Sequence, residues 1–276
     1  MDQILYNFMD FAPTLGILLS IGALAGVIGG MFGIGGGIVI VPILYYISDK
    51  VGFASAYEMQ TIMATSLGTI IFTGFGSLKT HILHKEISWE TVKGLAPLMF
   101  LGAVFGAYLN SLFSAKPITL LFAVFCLGLG VKMLIKVKAK KTEAMIRKRF
   151  SRIVAVLIGT LSALMGVGGG TMSVPFLRAH GFPMKISTGT SSILSSIIAI
   201  SGTFSYIVAG WDKTGLDYHY LGSVNWLALL CIVPTTMLFA PVGAWLARCM
   251  SDLVLARAFA AFLIINAIKM LWNIFS

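Results

Sequence analysis

Gly33-Ile34-Gly35-Gly36-Gly37, followed by Val41-Pro42 and Leu44, occurs again as Gly166-Val167-Gly168-Gly169-Gly170, followed by Val174-Pro175 and Leu177. Every match lies 133 positions on. Both copies are flanked by apolar residues. Three successive glycines are poor helix material, each costing about 1 kcal/mol against alanine, so a helix entering either stretch is expected to break. Pro42 and Pro175 further limit helix continuity. In hydrocarbon, broken backbone is tolerated only where protein or a watery cavity satisfies its N–H and C=O groups. Broken segments at matching places in two halves are the sequence mark of a transporter's binding site.

The rest of the chain supports a membrane setting. Of 276 residues, 58% are hydrophobic and 11% charged, where soluble domains carry about 25% charged residues. Apolar segments recur at 11–30, 38–47, 60–78, 94–113, 117–135, 153–165, 171–178, 186–209, 222–247 and 253–274. Most have the length a spanning helix needs. The fold class expected is an all-α polytopic integral membrane protein. The net charge of +10 could point to nucleic acid, but the cations cluster in short loops between spans, the mark of membrane topology. No nucleic-acid partner is expected. Cys126, Cys231 and Cys249 are far apart and read as small buried side chains. Asp2 and Asp10 precede the first cation, Lys50, so no cleaved leader is expected.

The halves match beyond the glycines. Thr65-Ser66 aligns with Thr190-Ser191, and nine residues from Pro97 to Leu134 align with Pro234 to Leu271 at an offset of 137. This is an internal duplication: residues 1–137 form the first repeat, 138–152 a basic cytoplasmic linker, and 153–276 the second repeat. Each repeat is a glycine-broken helix or re-entrant hairpin followed by three spanning helices. If each glycine stretch turns the chain back, the inside loops hold fifteen Lys and Arg and the outside loops three. If each stretch only kinks one span, the ratio is twelve to six. Cytoplasmic loops carry the excess, which favours the hairpin. The repeats are then inverted, with both termini outside and the chain in the cell (inner) membrane.

A half-helix that starts after the glycines presents free N–H groups and about +0.5 charge. Such ends bind anions without Lys or Arg, and the spans contain almost no cations. The substrate-binding candidates are therefore Gly33, Gly35, Gly36, Gly37, Gly166, Gly168, Gly169 and Gly170, with Gly36 and Gly169 at positions expected to reject a Cβ. The duplicated hydroxyls Thr65, Ser66, Thr190 and Ser191 join them, because hydroxyls donate to oxyanions without adding charge. Other hydroxyls on these helices, such as Thr61, Thr69, Ser192 and Ser195, read equally as bonds back to the helix. A dinucleotide fingerprint needs a preceding strand, which the apolar context does not offer. Glycines that only permit close helix packing are the competing reading, and Gly22/Gly26 and Gly102/Gly106 fit it. His81 and His84 have metal-like spacing but lie in a charged loop with no third ligand. No nucleophile–base pair is visible, so neither an enzyme nor a cofactor is expected.

Together these features resemble the sulfite exporter TauE/SafE family, also called the toluene sulfonate uptake permease family. The resemblance rests on Gly33 to Leu44, Gly166 to Leu177, Ala64-Thr65-Ser66 and Gly189-Thr190-Ser191, and extends over essentially the whole chain. It implies transport of sulfur-containing anions: sulfite, sulfoacetate, related organosulfonates or thiosulfate. The partners expected are a small anionic substrate and the lipid bilayer, with a homodimer left open. A channel, a carrier for another anion such as a carboxylate, and a non-transporting membrane protein are the alternatives. All acidic residues read as terminal, in loops or at span ends, so the sequence offers no mid-span carboxylate to couple uptake. Electrogenic movement outward is the direction expected.

Overall fold

The computed structural model describes residues 2–32, 35–51, 58–135, 148–211, 220–250 and 252–275. They form α1 (Asp2–Phe32), α2 (Gly37–Val51), α3 (Glu58–Leu83), α4 (Trp89–Leu112), α5 (Ala115–Ile135), α6 (Lys148–Leu164), α7 (Gly170–Ala179), α8 (Met184–Gly210), α9 (Trp226–Cys249) and α10 (Asp252–Phe275). A two-residue antiparallel pair, β1 (Tyr220–Leu221) and β2 (Val224–Asn225), precedes α9. Five helices are long and apolar enough to cross a membrane. Large apolar side chains such as Phe105, Tyr108, Leu238 and Trp272 face outward, as lipid-facing surfaces require. The protein is an all-α multi-pass membrane protein.

Both glycine stretches break the helix as expected: α1 gives way to α2, and α6 to α7. The prolines do not. Pro42 and Pro175 each sit inside the helix that follows its glycines. Each lies in the second turn, where losing one N–H removes a single early bond from a helix that neighbours hold in place. Two other boundaries move. Lys148 to Arg152, read as the end of the basic linker, already form the first turn of α6. The span read from residue 222 starts at Trp226, because β1 and β2 occupy 220–225.

Helices α1 to α5 correspond in order to α6 to α10. Their packing is reciprocal. Helix α1 lies along α9, with Gly22 against Ile232 and Thr235, Gly26 against Thr236, and Gly30 against Ala240. Helix α6 lies along α4, with Gly102 against Val156 and Gly106 against Thr160. Exchanging the halves turns one pair into the other, and both pairs run parallel. These glycines allow close approach, because a Cβ at each would strike the neighbouring backbone. Helices α3 and α8 pair centrally and run antiparallel: Gly74 lies against Ser196, while Gly202 lies against Leu67. If each glycine stretch merely kinked one span, these two corresponding helices would run the same way.

The core sits on α3 and α8. Every residue from Met59 to Ile70 is buried, although this stretch includes Gln60, Thr61, Thr65, Ser66 and Thr69. A polar stripe is therefore held at the centre of an apolar bundle, where each group needs a partner.

Candidate functional site

The two glycine stretches meet at the centre of the bundle. A Cβ at Gly37 would stand 2.9 Å from the Gly166 carbonyl oxygen and 3.2 Å from Ser66 Oγ. Gly35 and Gly36 have φ of +74° and +78°, and Gly166 has φ of +64°, the left-handed region that glycine enters without cost. Gly166 ends α6 in a Schellman cap: its own N–H donates to the Ala163 carbonyl, and the Val167 N–H donates to Ser162. Gly169 behaves differently from its counterpart Gly36. Its φ is −53°, and a Cβ there would meet the mobile end of Ile198, at 2.5 Å from Cδ1. The expectation that Gly169 rejects a Cβ for conformational reasons is thus corrected; in the second copy that demand falls on Gly166. Gly33 lies outside the described residues.

The carbonyls leaving α6 are well satisfied. Asn110 Nδ2 donates to Leu164 at 2.8 Å, Tyr206 OH donates to Ala163 at 3.1 Å, and Ser66 Oγ donates to Gly166 at 2.8 Å. The amides entering the next helix are not. Met172 and Ser173 N–H donate to the Gly169 carbonyl as the first bonds of α7. Among the described residues, none accepts from the N–H groups of Gly169, Gly170 or Thr171, and no side chain caps α7. Helix α2 begins the same way, with Val39 and Ile40 N–H on the Gly36 carbonyl. The second stretch therefore joins a saturated carbonyl end to an open amide end, the polarity an anion needs.

The structure gives the duplicated hydroxyls different tasks. Thr65 Oγ1 accepts from the N–H of Asn225, the residue capping α9, at 3.1 Å. Thr190 Oγ1 accepts from the N–H of Ser88, the residue capping α4, at 2.9 Å. These are one contact made twice, each time from one half to the other. Ser66, besides its bond to Gly166, stands 3.5 Å from the Gly37 carbonyl and so touches both stretches. Ser191, its counterpart, is fully buried and has no hydrogen-bond partner.

Two further hydroxyls share that condition. Ser173 Oγ on α7 and Ser195 Oγ on α8 are 0% and 4% exposed and have no partner. Leaving a buried donor unpaired costs about 1–3 kcal/mol. The sequence carried a signal for both: the first half has Ile40 where the second has Ser173, and Ile70 where it has Ser195. The pattern common to the two halves hides residues that differ between them. In the last turn of α3, His81 Nδ1 lies 2.9 Å from Oε2 of Glu86 in the connection to α4, so this histidine pairs with a nearby carboxylate.

A broken-helix bundle of this kind defines a class, the polytopic transporter with half-helices at its centre. The family model described as "Sulfite exporter TauE/SafE" matches residues 18–270, and the chain belongs to that family. A probable membrane transporter protein of Haemophilus influenzae is 36% identical over 259 residues, covering 92% of this chain and 97% of its own. The probable membrane transporter protein YunE of Bacillus subtilis is 28% identical, covering 93% and 97%. A probable membrane transporter protein of Methanocaldococcus jannaschii is 27% identical, covering 82% and 84%. No solved structure matches the chain. By family and relatives, the protein is a membrane transporter.

Proposed function

We propose that this transporter is a secondary carrier that exports a small sulfur-containing anion, such as sulfite, sulfoacetate or another organosulfonate, across the cell (inner) membrane. The observation that carries the reading is the open amide end following each glycine stretch, in a chain of the sulfite exporter family. Neutral donors suit an anion that has to leave again, since no lysine or arginine holds it. Of the glycines, Gly168, Gly169 and Gly170 line the open end of α7, and Gly35, Gly36 and Gly37 that of α2.

The halves are inverted repeats, with residues 1–137 and 153–276 inserted in opposite directions and both termini outside. The antiparallel pairing of α3 with α8 supports this, as does the excess of cations in the loops assigned to the inside. Cysteines introduced at Lys50 and Arg178 are expected to react with an impermeant reagent from opposite faces. Reaction of both from one face overturns the inverted arrangement.

Export needs no coupling ion. An inside-negative membrane favours outward movement of one negative charge by about 2.3 kcal/mol per 100 mV. Sodium held by unwound carbonyls would be the route to coupling. The carbonyls of Ser162, Ala163, Leu164 and Gly166 already accept hydrogen bonds from the protein, which favours the uncoupled reading. In proteoliposomes under a potassium-diffusion potential, sulfite or sulfoacetate flux is expected to reverse with the sign of the potential. Indifference to that sign, or strict dependence on sodium or a pH gradient, overturns uncoupled export.

A further inference from the structure

The duplication suggests two equivalent anion sites, but the side chains around the two stretches are not equivalent. On α7, Gly169 lies against Ile198 of α8. The short connection at 180–183 turns the chain back, so α7 and α8 run antiparallel. At 3.6 residues per turn, Ser191 lies about 20° around α8 from Ile198 and Ser195 about 60°. Both therefore stand on the side of α8 that meets α7. Ser173 is one turn into α7, its Oγ 3.5 Å from where a Cβ of Gly169 would be. Moving one turn into α7 is moving back along α8, from Ile198 to the level of Ser195. Two buried, unpartnered hydroxyls, Ser173 and Ser195, thus stand beside the open N–H groups of Gly169, Gly170 and Thr171, and a third, Ser191, lies one turn further along the same side of α8. The other four unpartnered buried side-chain atoms among the described residues, on Gln60, Thr61, Asn110 and Thr203, belong to other positions on α3, α4 and α8.

The first half has no such cluster. Ile40 replaces Ser173, and Ile70 replaces Ser195. Ile70 packs on Gly35 and Gly37, 3.1 Å from a Cβ at the former and 2.6 Å at the latter. Thr73, in place of Ile198, donates to the Gly35 carbonyl at 3.2 Å. Ser66, in place of Ser191, donates to Gly166. Among the described residues, the hydroxyls of Ser66 and Thr73 beside the first stretch each have a protein acceptor, and Ile70 packs on its glycines.

We infer that the chain has one anion site, between α7 and α8, made by the N–H groups of Gly169, Gly170 and Thr171 and the hydroxyls of Ser173, Ser191 and Ser195, and that it takes an oxyanion group carrying a single negative charge, such as a sulfonate. The inference rests on the transport reading for the existence of an anion substrate. The charge class follows from the donors. All are neutral, and a helix start supplies only about half a positive charge. That compensates one buried negative charge far better than two, because desolvation of an ion rises steeply with its charge. Three N–H groups and three hydroxyls make six donors, which suits a group presenting three oxygens; a carboxylate, with about four acceptor positions on two oxygens, would leave donors unpaired.

The test is direct binding to the purified full-length chain in detergent, by calorimetry, with methanesulfonate, sulfate, thiosulfate and acetate. Methanesulfonate is expected to bind at one per chain, at least tenfold more tightly than the dianions or acetate. Ser173→Ala and Ser195→Ala are each expected to weaken it about tenfold or more, the effect of losing a hydrogen bond to a charged group. Ser196→Ala is the control, since its hydroxyl donates to Ser192 within α8; its affinity should match the parent. Wild-type affinity in Ser173→Ala and Ser195→Ala, or two bound anions per chain, overturns the site while leaving the transport reading intact. Preference for sulfate or thiosulfate overturns the charge class. If only acetate binds, and the two alanine variants abolish it, the sulfur-anion reading falls and the site stands. Binding of none of the four overturns both.

Discussion

The two glycine stretches share four glycines in register, and the comparison between them separates what a motif does for the fold from what it leaves free. Both break a helix and expose amides at the start of the next. In the first, Ile70 packs on the glycines, Ile40 is buried, and Ser66 and Thr73 donate to backbone carbonyls. In the second, Ser173, Ser191 and Ser195 are buried with nothing to donate to. At matching positions the first copy has Ile40 and Ile70 where the second has Ser173 and Ser195.

The largest effect that sharpens this contrast comes from the glycines. Gly166→Val places a Cβ at φ +64°, 2.6 Å from the Met63 backbone. Strain of about 1–2 kcal/mol for the left-handed conformation adds to that overlap, and folded protein is expected to be largely lost on size-exclusion chromatography. Gly169→Ala, at φ −53° against a movable Ile198 methyl, should fold with near-parent yield. Equal yields would mean that the two glycines do the same work. A smaller effect separates the corresponding serines. Ser66→Ala leaves the buried Gly166 carbonyl without its side-chain donor and should cost about 1–3 kcal/mol, read as a lower Tm in detergent. Ser191→Ala removes a hydroxyl with no partner and should leave Tm unchanged or raise it. A fall of equal size in both variants would erase the distinction between them.

Much of the helical framework could be read from composition and repeat alone, because apolar length fixes spans and glycine runs fix breaks. What escaped has physical causes. The β1–β2 turn is two residues per strand, too short for any periodicity to show. Pro42 and Pro175 carry a local penalty that packing overrides. The site candidates were chosen because they recur, and recurrence selects the residues that build the common frame. Thr65 and Thr190 recur since each receives a cap N–H from the other half. Ser173 was passed over because Ile40 stands in its place. Ser195 was read as one more helix hydroxyl, and only its lack of an acceptor sets it apart.

The paired Thr65–Asn225 and Thr190–Ser88 contacts also bear on how the chain is made. Synthesis delivers Thr65 and Ser88 long before residues 190 and 225 emerge from the ribosome. Until then the start of α4 has an amide with no acceptor, and Thr65 has no cap to receive. Neither half completes these two helix starts alone, because each takes its acceptor from the other.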